Sequence, residues 1–193
     1  MTFGTVLCLG DSITFGARAK LGYPEWLPSL VDNQGSVEWS TLNRGISGQT
    51  TRQILDRAPG CVRELAGLPG AKWAVLLAGT NDSKRNGVTI DEWWLLYNQI
   101  VTWFRRYDLP MALCTFPKVN FLRMPSFTAE SNEWLERASD HVRLIANTHG
   151  AKLIELSDIE DIDDIPDGVH LSADAYREFA IRVVTGLGLR NEI

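Results

Sequence analysis

The feature of this 193-residue sequence that most constrains its fold is a set of five short apolar runs, at 5–9, 37–42, 73–77, 111–116 and 152–156. Most are unbroken rather than alternating in polarity. A strand with one solvated face alternates apolar and polar side chains, whereas an unbroken run suits a parallel strand buried on both faces. Segments with helical spacing follow the runs, at 24–31, 51–65, 90–107, 128–148 and 173–187. In the fourth, Leu135, Ala138, Val142 and Ile145 recur at steps of three and four, and Gly150 follows as a C-cap. Pro59-Gly60 is expected to break or offset the second helix. This alternation implies an open α/β sheet with right-handed crossovers. No repeat, linker or low-complexity stretch interrupts it, so residues 1–193 read as one domain.

Composition narrows the partners. Hydrophobic residues make up 45% and charged ones 22%, as in globular domains, and a chain of this length buries a core without disulfides or metal. A net charge of −5 with no basic run argues against nucleic acid, which needs clustered Lys and Arg. Cys8 and Cys114 lie inside apolar runs, and with Cys61 they read as small core residues of a reducing compartment. The first residues lack a basic region, and no run approaches the length of a membrane span. A cytoplasmic location is expected.

In open α/β sheets, sites form beyond the carboxyl ends of the strands, where strand order reverses. Four polar, glycine-bearing segments come after the predicted strands: Gly10-Asp11-Ser12, the stretch 43–50, Gly79-Thr80-Asn81-Asp82, and Asp167-Gly168-Val169-His170. They would meet on one edge. Ser12 by itself reads as a helix cap. A serine nucleophile needs a base, and the base needs an orienting partner. Of the three histidines, His141 falls within a helical stripe and His149 at a helix end. His170 alone lies in a loop, with Asp167 three residues upstream, where a carboxylate can hold one imidazole nitrogen. The backbone N–H groups of Ser12 and Gly48 and the amide of Asn81 would then be donors for an oxyanion. Asp82 is expected to cap or buttress its loop. Asp11 is expected to hydrogen-bond loop backbone, and it joins Phe121 and Met124 as a candidate substrate contact.

The series GDSITFG, SGQT, GTND and DGVH, spanning residues 10 to 170, resembles the SGNH hydrolases, also called the GDSL esterase/lipase superfamily. Any one tetrapeptide is weakly specific, but four in order are strongly so. Ile13 stands where the family's namesake motif has Leu and keeps its apolar character. The resemblance implies a flavodoxin-like, three-layer α/β/α sandwich around a five-stranded parallel sheet. It also implies Ser12 as nucleophile, His170 and Asp167 as its partners, and Gly48 and Asn81 as oxyanion donors. The expected activity is hydrolysis of carboxylic esters through an acyl-enzyme, with no metal or cofactor.

Two other readings use the same residues. An acyltransferase would replace water with an alcohol. A flavodoxin-like phosphate or nucleotide binder would use the strand–glycine–helix junction for an anion. Against the binder, loop 10–16 matches neither G-x-x-x-x-G-K-[ST] nor G-x-G-x-x-G, and it carries Asp11. Segments 83–87 and 117–127 are expected to shape the pocket, the latter as a wall or by folding back on the sheet. With no long apolar lid, short-chain or acetyl esters are the expected substrates. The acidic stretch 158–164 lacks the glycine and spacing of a calcium loop and reads as a solvated lead-in to Asp167. Most of the seven tryptophans are expected to pack helices.

Overall fold

A computed structural model of the chain describes residues 2–31, 37–161 and 163–190, which leaves Ile162 of the acidic stretch outside the described residues. In chain order the elements are β1 (Thr2–Gly10), α1 (Ser12–Phe15), α2 (Tyr23–Leu30), β2 (Val37–Gly45), α3 (Thr51–Gly67) and β3 (Ala71–Leu77). A 3₁₀ turn (Thr80–Ser83) leads to α4 (Ile90–Arg106), β4 (Met111–Cys114), α5 (Ala129–His149), β5 (Lys152–Ile154) and α6 (Ala173–Gly186). All five strands are parallel, in the order β2-β1-β3-β4-β5.

That order explains the layers. The crossover from β1 to β2 moves outward one way, and those from β2 through β5 run the other way. Crossovers of one hand must then lie on opposite faces. The connection through α2 covers one face, where α6 returns to pack on it, and α3, α4 and α5 cover the other. Enclosed on both sides, Leu7, Cys8 and Leu9 of β1 and Val75, Leu76 and Leu77 of β3 are fully buried. The free cysteines Cys8, Cys61 and Cys114 are also buried. No helix among the described residues is long and apolar enough to cross a membrane.

The register sets the level of the site. Gly10 pairs with Gly45 on one side and Leu77 on the other, so β1, β2 and β3 end flush. Cys114 pairs with Ile154, which brings the last two strands to a common end. A methyl group on Gly10 would come within 2.5 Å of the Leu77 carbonyl oxygen, so this close approach requires glycine.

Several details differ from the sequence reading, among them β4, which ends at Cys114 rather than 116. The helix α3 runs unbroken through Pro59. Its apolar face, with Ile54, Ala58, Val62 and Leu65 buried to 0% exposure, holds the backbone where proline removes one hydrogen bond. The strand β5 ends at Ile154 rather than 156, because the N–H groups of Leu156 and Ser157 turn to the Thr115 hydroxyl, at 2.7 and 3.1 Å. The one-turn α1 had no periodic signal to reveal it, being only four residues long.

Candidate active site

Ser12 is the first residue of α1, and Asp11 is the cap: its Oδ1 accepts the Ile13 N–H at 3.0 Å. Ser12 therefore does not cap the helix. The serine side chain is free of that duty and opens on a cavity of about 320 Å³. Gly48, Asn81, Met124 and His170 line the same cavity.

Gly48 lies in the turn that continues β2. The Gln49 N–H closes that turn on the Ile46 carbonyl at 3.3 Å, and Gly48 has φ +81°, a conformation that suits glycine. It is exposed, lines the cavity, and has open space where a side chain would stand. Asn81 is 8% exposed and belongs to the 3₁₀ turn after β3. Its amide donates to the Gln49 carbonyl at 3.0 Å and lies 3.5 Å from Asp11 Oδ2. The Trp93 indole, fully buried, supports that turn by donating to the Ala78 carbonyl at 2.9 Å.

His170 stands across the cavity. Its Nδ1 is 2.7 Å from Asp167 Oδ2, and Asp167 Oδ1 accepts the N–H groups of Val169 and His170 at 3.0 and 2.8 Å. Burial pushes the Asp167 carboxyl up, but the His170 ring and the two backbone donors outweigh it and hold the pKa below the ordinary range. Arg18 lies 3.7 Å from the same oxygen. The carboxylate is thus anionic and directed at the imidazole. Segment 117–127 clasps this loop: the Asn120 N–H bonds to the Gly168 carbonyl at 2.8 Å and Arg123 to the Pro166 carbonyl at 2.5 Å. The other histidines serve packing and a helix end. His141 lies against Trp94 with ring centroids 4.5 Å apart, and His149 closes α5.

Asp11 and Phe121, candidate substrate contacts, do not line this cavity. Asp11 is 0% exposed and is not on the cavity wall. Phe121 is turned outward at the exposed tip of its segment, while Met124, Ser126 and Phe127 supply the wall. Asp82 buttresses its loop, accepting the N–H and hydroxyl of Thr51 at 2.9 and 3.0 Å. The acidic stretch forms surface pairs, Asp158 with Arg182 at 2.6 Å and Glu160 with Lys118.

Burial raises the Asp11 pKa to about 7, against the lowering effect of the Ile13 N–H. Between the ordinary value of 3.8 and about 7, the folded state holds a proton that the unfolded chain releases. This group's contribution to stability therefore falls as pH rises through that window. Asp11→Asn keeps the acceptor for Ile13 and removes the titration. The gap between variant and wild-type Tm should widen in the variant's favour as pH rises from about 4 to 7. Parallel Tm curves would assign the pH dependence to other groups.

Residues 8–178 match the model of the GDSL-like lipase/acylhydrolase family. The chain belongs to this family. The family is one of lipases and acylhydrolases. A curated protein of Escherichia coli K12, thioesterase 1/protease 1/lysophospholipase L1, is 32% identical over 81 residues, which is 42% of this chain. The match takes in 36% of that protein, so the chain spans little more than a third of the length of the curated relatives it matches. A catalytic mutant of an acetylxylan esterase from Geobacillus stearothermophilus superposes with a TM-score of 0.76 at 19% identity, over 98% of this chain and 97% of the other. A GDSL-family lipolytic protein from Veillonella parvula gives 0.75 at 17%, covering 94% and 97%. A lipase/acylhydrolase from Enterococcus faecalis gives 0.73 at 18%, covering 95% and 94%. At these identities the likeness is one of fold.

Sequence reasoning missed Arg57. From α3 it donates to the Gly10 carbonyl at 2.7 Å and to Gln49 Oε1 at 2.6 Å, tying the end of β1 to the Gly48 turn. Burial lowers the pKa of its guanidinium. The signal was available: a cation three residues after Ile54 and four before Cys61 sits on the edge of the helix's buried stripe.

Proposed function

We propose that this chain is a serine carboxylesterase acting on short-chain acyl or acetyl esters through an acyl-enzyme intermediate. The observation that carries the reading is the 2.7 Å pairing of His170 Nδ1 with Asp167, beside a cavity that Ser12, Gly48 and Asn81 share with the imidazole. A carboxylate on Nδ1 keeps the proton there in the resting state, leaving Nε2 as the basic nitrogen. His170 takes the Ser12 proton as the oxygen attacks the ester carbonyl. The backbone N–H groups of Ser12 and Gly48 and the Asn81 amide receive the negative charge of the tetrahedral intermediate. His170 then returns the proton to the leaving alcohol, and a water molecule, activated in the same way, releases the acid. Asp167 stabilises the imidazolium formed between these steps.

The cavity of about 320 Å³ lies at the small end of ligand sites, which favours short acyl groups. A protein of like fold bears the name acetylxylan esterase, in keeping with an acetyl ester as substrate. Three buried, unpaired cysteines support a cytoplasmic location. A fluorophosphonate probe tests the central claim. The protein should label at Ser12, located by peptide mass spectrometry, and hydrolyse p-nitrophenyl acetate. Labelling elsewhere, or an unlabelled and inert folded protein, would overturn it.

A further inference from the structure

A second cavity, of about 470 Å³, adjoins the catalytic one and shares Asn81, Lys84 and Ser126 with it. Two cations border this joint hollow, Lys84 at the shared wall and Arg85 on the far side. Neither forms an ion pair among the described residues. The Lys84 ammonium lies 5.5 Å from the centre of the Phe127 ring, itself part of the catalytic wall. Arg18 stands at the catalytic mouth, where it is already paired with Asp167 at 3.7 Å. The opposing carboxylate in the second cavity is Asp82, whose Oδ2 is already committed to Thr51. Glu130, within electrostatic reach of Arg85, is exposed and borders a third hollow that Asp82, Lys84 and Arg85 also line. In a protein whose net charge is −5, this edge thus holds two cations, Lys84 and Arg85, without an ion-pair partner among the described residues.

From this juxtaposition we infer that the enzyme's substrate is an ester bearing an anionic group, carboxylate or phosphate, which sits in the second cavity on Lys84 and Arg85 while the scissile bond reaches Ser12. The inference rests on the esterase reading and adds a substrate class to it. Segments 83–87 and 117–127 build the subsite together: the Arg85 N–H bonds to the Ser126 carbonyl at 3.2 Å, fixing the two cationic residues against the loop that carries Phe127. A neutral ester of the same size would fill the space and leave both cations without a partner. Partly exposed pairs of this kind are screened by salt, so the preference should be ionic-strength dependent.

The test compares matched esters on the purified chain. On the acyl side, mono-p-nitrophenyl succinate is set against p-nitrophenyl butyrate. On the alcohol side, 4-acetoxybenzoate and 4-acetoxyphenyl phosphate are set against methyl 4-acetoxybenzoate, which separates carboxylate from phosphate. In at least one arm kcat/KM should favour the anion by about tenfold, and the ratio should shrink toward one between about 0.05 and 0.5 M salt. The double variant Lys84→Gln/Arg85→Gln should bring the ratio close to one, and Arg85→Glu should push it lower still. Equal rates in both arms, or a preference that neither salt nor these substitutions alter, would overturn the anion subsite and leave the esterase standing. Failure to turn over any ester, with no fluorophosphonate label, would overturn the esterase reading and the subsite with it.

Discussion

Replacing Ser12 with alanine should lower kcat/KM for p-nitrophenyl acetate by roughly 10⁴- to 10⁶-fold, the range seen when a serine nucleophile is removed from a triad. The size has a chemical origin. Without the hydroxyl there is no acyl-enzyme, and the remaining donors can only favour direct attack by water. The fold should hold, because Ser12 is not the helix cap. Asp11 accepts the Ile13 N–H at 3.0 Å, and alanine is a good helix former at the position beside it. A change in stability of under about 1 kcal/mol is expected, read from denaturant unfolding. Fluorophosphonate labelling should vanish in the same variant. Retention of more than a tenth of the activity would show that another group attacks the ester. A large loss of both stability and activity would instead place Ser12 in the packing of the loop, a role its position at the cavity makes unnecessary.

The sequence carried the parts of this site that depend on short separations or on the ends of strands. Asp167 and His170 are three residues apart, and one turn of loop is enough to bring carboxylate to imidazole. Ser12, Gly48 and Asn81 each lie just past the end of a strand, and flush parallel strands deliver their trailing loops to one edge. The sheet was legible for a related reason, since buried parallel strands leave unbroken apolar runs. The features that stayed hidden depend on tertiary contact. The span of α3 across Pro59 is decided by the face it buries, which local propensity does not record. Asp11 was expected both to bond loop backbone and to touch substrate; it accepts the Ile13 N–H, and its side chain is fully buried. The role of segment 117–127 was legible by half. Its place beside the site was expected, but its bonds to the carbonyls of Pro166 and Gly168 join residues more than forty positions apart. Arg57 likewise acts across 47 residues on the Gly10 carbonyl.

The second large effect concerns Asn81. Its side chain has two N–H donors. One is bound to the Gln49 carbonyl at 3.0 Å, which sets the orientation of the amide and braces the turn carrying Gly48. The contact with Asp11 is much longer, 3.5 Å, at the edge of a hydrogen bond. The second hydrogen is therefore weakly held, as the proposed role of oxyanion donor requires. Asn81→Ala should lower kcat by about 100- to 1,000-fold, the cost of removing one preorganised donor from an oxyanion hole. KM should change little, because the charge that this donor stabilises is absent from the bound ester. A bracing role alone gives a different pattern. Loss of the Gln49 contact would loosen the Gly48 turn, lower Tm and raise KM, with kcat falling less. Asn81→Asp separates the two further: it puts an acceptor where charge develops, so it should be at least as slow as alanine. If kcat in Asn81→Ala stays within about fivefold of wild type, the oxyanion rests on the backbone N–H groups of Ser12 and Gly48, and Asn81 serves only the turn.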